Sequence, residues 1–116
     1  MDYKTARNFL IDQGTALDTQ KNPDAFLNRL QQGQPPIPGQ VTNLLLALKI
    51  TFDALQGDPL LDRILVYSLH CLTLESSLAF ENGRRSGVEW PPLLKADLHR
   101  ISLGVKSVFG GTWYTE

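Results

Sequence analysis

The sequence predicts an all-α protein, a compact bundle of four main helices and one short helix that forms a single domain over residues 1–116. Apolar residues recur at spacings of three and four in every segment, and no segment shows the sustained alternation of a strand. Gly and Pro separate these segments from one another. A chain of 116 residues with 42% hydrophobic and 20% charged residues has ordinary globular composition and is long enough for one core.

The first two predicted helices lie before the proline-rich part of the chain. Apolar spacing predicts a helix over residues 3–13, which Gly14 ends unless it continues through Leu17. Asn22–Pro23 then provides an N-cap followed by proline at the first helical position. We expect a short helix from there to Gly33.

A proline-rich stretch and a strongly patterned helix follow. Residues 34–39 contain three prolines and cannot be helical, so they form either an extended connector or an arm presented to another chain. Residues 40–56 carry apolar side chains at i, i+3, i+4, i+7, i+11 and i+14, which predicts an amphipathic helix. Gly57 ends it.

The longest predicted helix begins at Asp58–Pro59, runs to about Asn82 and stops at Gly83 or Gly87. Its apolar residues are distributed almost all round the helix. A helix of this kind is either central in a bundle or shared with a second subunit. The sequence therefore raises the prospect of a homodimer.

The last predicted helix covers about Pro91 to Phe109, and Gly110–Gly111 ends it. Its apolar residues face inward, whereas Lys95 and His99 face outward. Short connections on either side of the longest helix predict that consecutive helices are antiparallel neighbours.

Composition narrows the classes of partner and compartment. The chain has 11 Lys and Arg against 12 Asp and Glu, and this near-neutral charge argues against a dedicated nucleic-acid binder. Its one cysteine excludes an internal disulfide. We expect no membrane partner and a cytoplasmic location, because no apolar run has the length of a signal peptide or a membrane span.

Recognised catalytic motifs are missing from the sequence. It contains no phosphate-binding or dinucleotide-binding glycine loop, no HExxH, no GxSxG and no EF-hand loop. The sequence therefore predicts no catalytic, cofactor-binding or metal-binding residue. We expect a protein that is not an enzyme; the alternative is an enzyme whose motifs lie outside this set.

One cluster in the longest helix offers an alternative. Tyr67, His70 and Cys71 share one side of the helix, and Glu75 follows. A helical bundle that binds a small ligand, or an enzyme, would place Tyr67, His70 and Glu75 around an interior pocket. Otherwise Cys71 fills the core, His70 is a partly buried histidine and Glu75 lies on the wetted face.

Five residues are candidates for binding a partner. Trp90, Trp113 and Tyr114 lie in a connector and a tail, where aromatic side chains either lock the chain onto the bundle or anchor a partner. Arg84 and Arg85 end the longest helix, where they either bind an anion or complement the helix dipole. Nucleic-acid binding would use these two arginines together with Lys95 and Arg100, and it predicts salt-sensitive retention on DNA or RNA.

Several stretches resemble a family of short uncharacterised proteins from cyanobacteria. They are Asn22–Leu27, Pro35–Thr42 and Trp90–Leu94, closed by Gly111–Trp113. The resemblance covers nearly the whole chain and implies an all-helical fold without a mechanism. Some members of that family carry an automatic label of dethiobiotin synthetase. That enzyme uses a phosphate-binding loop on a parallel sheet, and this sequence has neither the glycines nor the strands, so it does not support the label.

These patterns predict a non-enzymatic helical interaction or regulatory module. We expect it to act through protein–protein surfaces, either with a protein partner or as a homodimer.

Overall fold

A computed structural model describes residues 1–115, and these residues form four long and two short helices without a strand. The helices are α1 (Tyr3–Gly14), α2 (Ala16–Thr19), α3 (Phe26–Gln31), α4 (Gln40–Ala54), α5 (Arg63–Arg85) and α6 (Leu94–Gly110). The all-α prediction is confirmed. One short helix was expected and the described chain has two, because the backbone at Thr15 leaves the helical conformation and separates α2 from α1.

The four long helices form a bundle with a square cross-section. Helices α1 and α6 each pack against both α4 and α5, so α4 and α5 are diagonal to each other. The short helix α3 covers α5 from outside the square, and α2 packs against α3. The core between the long helices consists mainly of leucine, together with Phe26, Phe52 and Ile101.

Helices α1 and α5 run in the same direction, as do α4 and α6. Arg7 in α1 forms an ion pair with Asp62 at the start of α5, and Gly14 at the end of α1 abuts Ser68 one and a half turns further along α5. On the opposite side of the bundle, Leu48 of α4 packs on Gly104 of α6, and Phe52 further along α4 packs on Trp113, just after the end of α6.

The expectation that α4 and α5 are antiparallel neighbours is therefore wrong. The connection between them covers residues 55–62, because α5 begins later than predicted. Eight residues can span about 26 Å, which is more than the roughly 14 Å diagonal of a bundle whose neighbouring axes are 10 Å apart. Helices α5 and α6 do pack directly, as the sequence predicted.

Two Asx–Pro sequences that were expected to begin helices form turns ahead of them. The side-chain oxygen of Asn22 accepts a hydrogen bond from the backbone N–H two residues on, and Asp58 does the same, each at 3.0 Å. These Asx turns satisfy the side chains locally. Helix α3 then begins three residues after Pro23, and α5 begins at Arg63 with Asp62 as its N-cap.

The helix ends agree more closely with the sequence. Helix α5 ends at Arg85, two residues before Gly87, which has a φ of 90°. Helix α6 ends where expected, with Gly111 in the left-handed conformation, but it begins at Leu94 and not at Pro91. The prolines before Leu94 lie in the connector.

Candidate interaction surface

Helix α5 has two faces with unlike surroundings. Its inner face is buried against α1, α3 and α6, and its buried residues are Leu65, Ser68, Leu69, Leu72 and Ser76. On its outer face four large apolar side chains are between 44% and 48% exposed, namely Ile64, Tyr67, Leu74 and Leu78. The sequence showed apolar residues all round this helix, and the bundle covers one side of them.

Serines on the inner face allow a neighbouring helix to come close. The Ser68 hydroxyl donates a hydrogen bond to the Ile64 carbonyl at 2.7 Å, and Ser76 donates to the Leu72 carbonyl in the same way. These bonds satisfy the hydroxyls inside the core. A Cβ added at Gly14 would lie 2.2 Å from the Ser68 carbonyl oxygen, so α1 and α5 touch backbone to backbone at this point.

The outer face carries a heptad pattern. The apolar residues follow one another at spacings of three, four, three and four, and we call them the outer seam: Ile64, Tyr67, Cys71, Leu74 and Leu78. This is the a and d spacing of helices that pack along one another. The sequence contains this signal, but it is hidden when the apolar residues of α5 are treated as one continuous surface.

Two members of the outer seam interact with the rest of the chain: Tyr67 makes a hydrogen bond, and Cys71 is half-buried. The Tyr67 hydroxyl donates a hydrogen bond to Asp18 Oδ2 at 2.7 Å, and this bond to a carboxylate raises the pKa of Tyr67. Burial raises the pKa of the half-buried Cys71 thiol. Cys71 therefore remains a protonated thiol at neutral pH, which is a poor nucleophile.

The three residues of the alternative pocket do not converge in the interior. His70 is exposed beside the outer seam, and Tyr67 lies on the surface. Glu75 is half-buried and lines a surface pocket of about 360 Å³ together with Leu30 and Leu78, and neither Tyr67 nor His70 lines that pocket. The structure thus brings Tyr67 to the outer seam and places His70 and Glu75 on its flanks.

Trp90 fastens the connector between α5 and α6 onto α5. Its indole N–H donates a hydrogen bond to the Phe80 carbonyl at 2.9 Å, and its ring stacks on the Phe80 ring with centroids 6.0 Å apart. The ring occupies the space over Gly83, where a Cβ would lie 2.5 Å from Trp90 Cζ2. These contacts give Trp90 a packing role.

Trp113 and Tyr114 hold the residues after α6 against the bundle. The Trp113 ring packs on Phe52 with centroids 5.2 Å apart, and Lys49 Nζ lies 4.8 Å from the Trp113 centroid. The Tyr114 backbone N–H donates to Ser107 Oγ at 2.8 Å, while the side chain is 37% exposed. Both aromatics are on the surface of α4 and α6 and away from the outer seam.

Arg84 and Arg85 are both exposed at the carboxyl end of α5. Arg84 donates to Glu81 Oε2 at 2.8 Å, and its guanidinium lowers the pKa of Glu81. Cations at this end of a helix also complement its dipole. The structure therefore gives Arg84 a local partner in Glu81.

Comparison with protein-family models, with curated proteins and with solved structures found no match. Over residues 1–115 no three His, Cys, Asp or Glu side chains are placed to hold a metal ion. No helix in this part of the chain is long and apolar enough to cross a membrane. The outer seam is an apolar strip on the surface of α5.

Proposed function

We propose that the protein is a non-enzymatic helical interaction module that associates through the outer seam, foremost with itself. One observation carries the proposal, namely that four large apolar side chains at heptad spacing are left nearly half exposed on the longest helix. Covering such residues removes apolar surface from water, at roughly 25 cal/mol per Å².

The positions of the other candidate partner-binding residues support the choice of the outer seam as the interaction surface. Trp90 is engaged with Phe80, and Trp113 is engaged with Phe52. A partner-binding role for these two tryptophans, for Tyr114 and for the two arginines stays a prediction. The proposal keeps the cytoplasm as the compartment, where the Cys71 thiol would stay reduced.

Sedimentation velocity over a range of micromolar concentrations tests this function. We expect the wild-type protein to associate and Leu74→Lys to remove the association, because a lysine in the seam must be desolvated for contact. Leu46→Lys is the matched control, since Leu46 is 47% exposed on α4, outside the seam. A wild-type protein that remains monomeric at hundreds of micromolar would refute the proposal.

A further inference from the structure

We propose that a surface pocket beside Glu75 binds a small organic cation, namely a protonated aliphatic amine. This pocket, the Glu75 pocket, has a volume of about 360 Å³ and lies between the end of α3 and the last three turns of α5. Pockets that hold small ligands range from about 300 to 1,000 Å³, so its size suits a ligand of few atoms. The inference goes beyond association through the outer seam and does not depend on it.

One stripe of α5 and its C-cap forms a wall of the Glu75 pocket. The residues of the stripe follow one another at spacings of three, one, three, one and three, which keeps them on the same side of the helix. They are Glu75, Leu78, Ala79, Asn82, Gly83 and Ser86. The facing wall is the end of α3 at Leu30 and Gln31, together with the turn at Gln32 and Gly33.

Contacts between the two walls hold the pocket in shape. Val88 lies against Gly33, since a Cβ added to Gly33 would be 3.2 Å from Val88 Cγ2. The Val88 backbone N–H donates a hydrogen bond to the Gly83 carbonyl at 2.8 Å, which fixes the turn after α5 to the helix. The pocket is therefore formed by the fold itself and needs no ligand to open it.

Glu75 gives the pocket its charge. It is the one ionisable side chain among the described residues that line the pocket. The side chain is half-buried, and within residues 1–115 its carboxylate makes neither a hydrogen bond nor an ion pair. The pocket thus holds a carboxylate whose charge no other side chain of its walls balances.

Glu81, a second half-buried glutamate of α5, shows what Glu75 lacks. Arg84 is three residues after Glu81 and donates to its Oε2 at 2.8 Å. The residues three and four positions from Glu75 are all uncharged at neutral pH, and they are Cys71, Leu72, Leu78 and Ala79. The helix therefore supplies a cation to Glu81 and leaves the Glu75 carboxylate open to a cation from outside the chain.

The chemistry of the pocket selects the class of ligand. A half-buried carboxylate has lost part of its hydration, and a ligand ammonium compensates for this with a charge-assisted hydrogen bond. Leu17, Leu30 and Leu78 line the same pocket and provide apolar contact for a hydrocarbon chain. One carboxylate matches one positive charge, so a monoamine fits the site better than a polyamine or an anion.

Titration of the ¹⁵N-labelled protein with hexylammonium, followed by the amide chemical shifts, tests the site. We expect saturable shifts at Gln31, Gly33, Gly83 and Val88, with a Kd of about 1–10 mM because so small a ligand makes few contacts. Hexanoate and hexan-1-ol have the same hydrocarbon chain without the positive charge. Each should bind at least about tenfold more weakly.

A pair of glutamate variants measures the part played by the charge of the pocket. Glu75→Gln keeps the shape of the side chain and should weaken hexylammonium binding about tenfold, since it removes the charge on the acceptor. Glu81→Gln changes the net charge of the protein equally and should leave the Kd within about twofold of wild type, because Glu81 does not line the pocket. The amide spectra show that each variant is folded.

Several results would overturn the inference. They are an absence of saturable shifts, equal binding of hexanoate, and equal weakening by Glu75→Gln and Glu81→Gln. Shifts centred on Tyr67 and Leu74 would also overturn it, because they would place the amine on the outer seam as an apolar additive. Sedimentation decides the proposed function and this titration decides the amine site, so either can fail while the other stands.

Discussion

The inner and outer faces of α5 differ in a way that side-chain polarity alone does not explain. The inner face buries two serines, and the outer face exposes two leucines, an isoleucine and a tyrosine. The serines can be buried because their hydroxyls bond to the carbonyl four residues earlier. Close contact with α1 needs a small residue at Ser68, whereas Leu65, Leu69 and Leu72 fill most of the rest of the inner face.

Truncating one leucine on each face should separate their roles. Leu72→Ala removes a fully buried side chain and should lower the free energy of unfolding by about 2–5 kcal/mol. Leu74→Ala removes a side chain that is 44% exposed, so the monomer should lose less than about 1 kcal/mol. Urea unfolding at low micromolar concentration measures both. Equal losses would mean that the outer face is covered in the monomer.

A substitution at the contact between α1 and the inner face of α5 should cause the next largest loss of stability. Gly14→Ala places a Cβ 2.2 Å from the Ser68 carbonyl oxygen, and because this atom is backbone, the two helices must move apart. We expect a loss of about 2–3 kcal/mol in the free energy of unfolding.

Gly110→Ala serves as the control for that substitution. A Cβ at Gly110 meets only the Tyr114 side chain, at 3.7 Å, and alanine has the higher helix propensity. Its stability should therefore be unchanged or slightly raised. A Gly14→Ala protein as stable as the Gly110→Ala protein would contradict the close approach of α1 and α5.

The sequence predicted the helices well and their arrangement poorly. Apolar spacing is local, so it located α4 and α6 to within a few residues. The diagonal relation of α4 to α5 depends on packing between distant segments, which includes the fit of Gly14 against Ser68. Nothing local to either residue indicates that contact.

The starts of α3 and α5 show a second limit of local patterns. An Asx–Pro sequence fits an N-cap and an Asx turn equally well. In α5 the N-cap is Asp62 and not Asp58, because Asp62 both caps the helix and binds Arg7 of α1. The outer seam was present in the sequence as a heptad, but only the fold shows which part of α5 remains uncovered.

Asp62 makes a smaller contribution to the stability of the fold, and the pH dependence of unfolding can isolate that contribution. Its hydrogen bond from Arg7 lowers the pKa of the Asp62 carboxyl below its usual value near 3.8. A lowered pKa in the folded state means that the charged form stabilises the fold above the usual pKa, and that this stabilisation is lost as the pH falls through the folded pKa. Asp62→Asn keeps a capping side chain and removes the charge.

We therefore expect Asp62→Asn to lower the urea midpoint modestly at pH 7, by less than Gly14→Ala does. The difference from wild type should shrink toward zero as the pH falls below about 3.8, since wild-type Asp62 then becomes protonated too. Lys49 and Asp53 form an exposed ion pair within α4, and Asp53→Asn controls for the loss of any surface carboxylate. A pH-independent difference for Asp62→Asn would show that the Arg7 contact does not link α1 to the start of α5. The parallel packing of α1 on α5 would then depend on the Gly14 contact and on the shared apolar core.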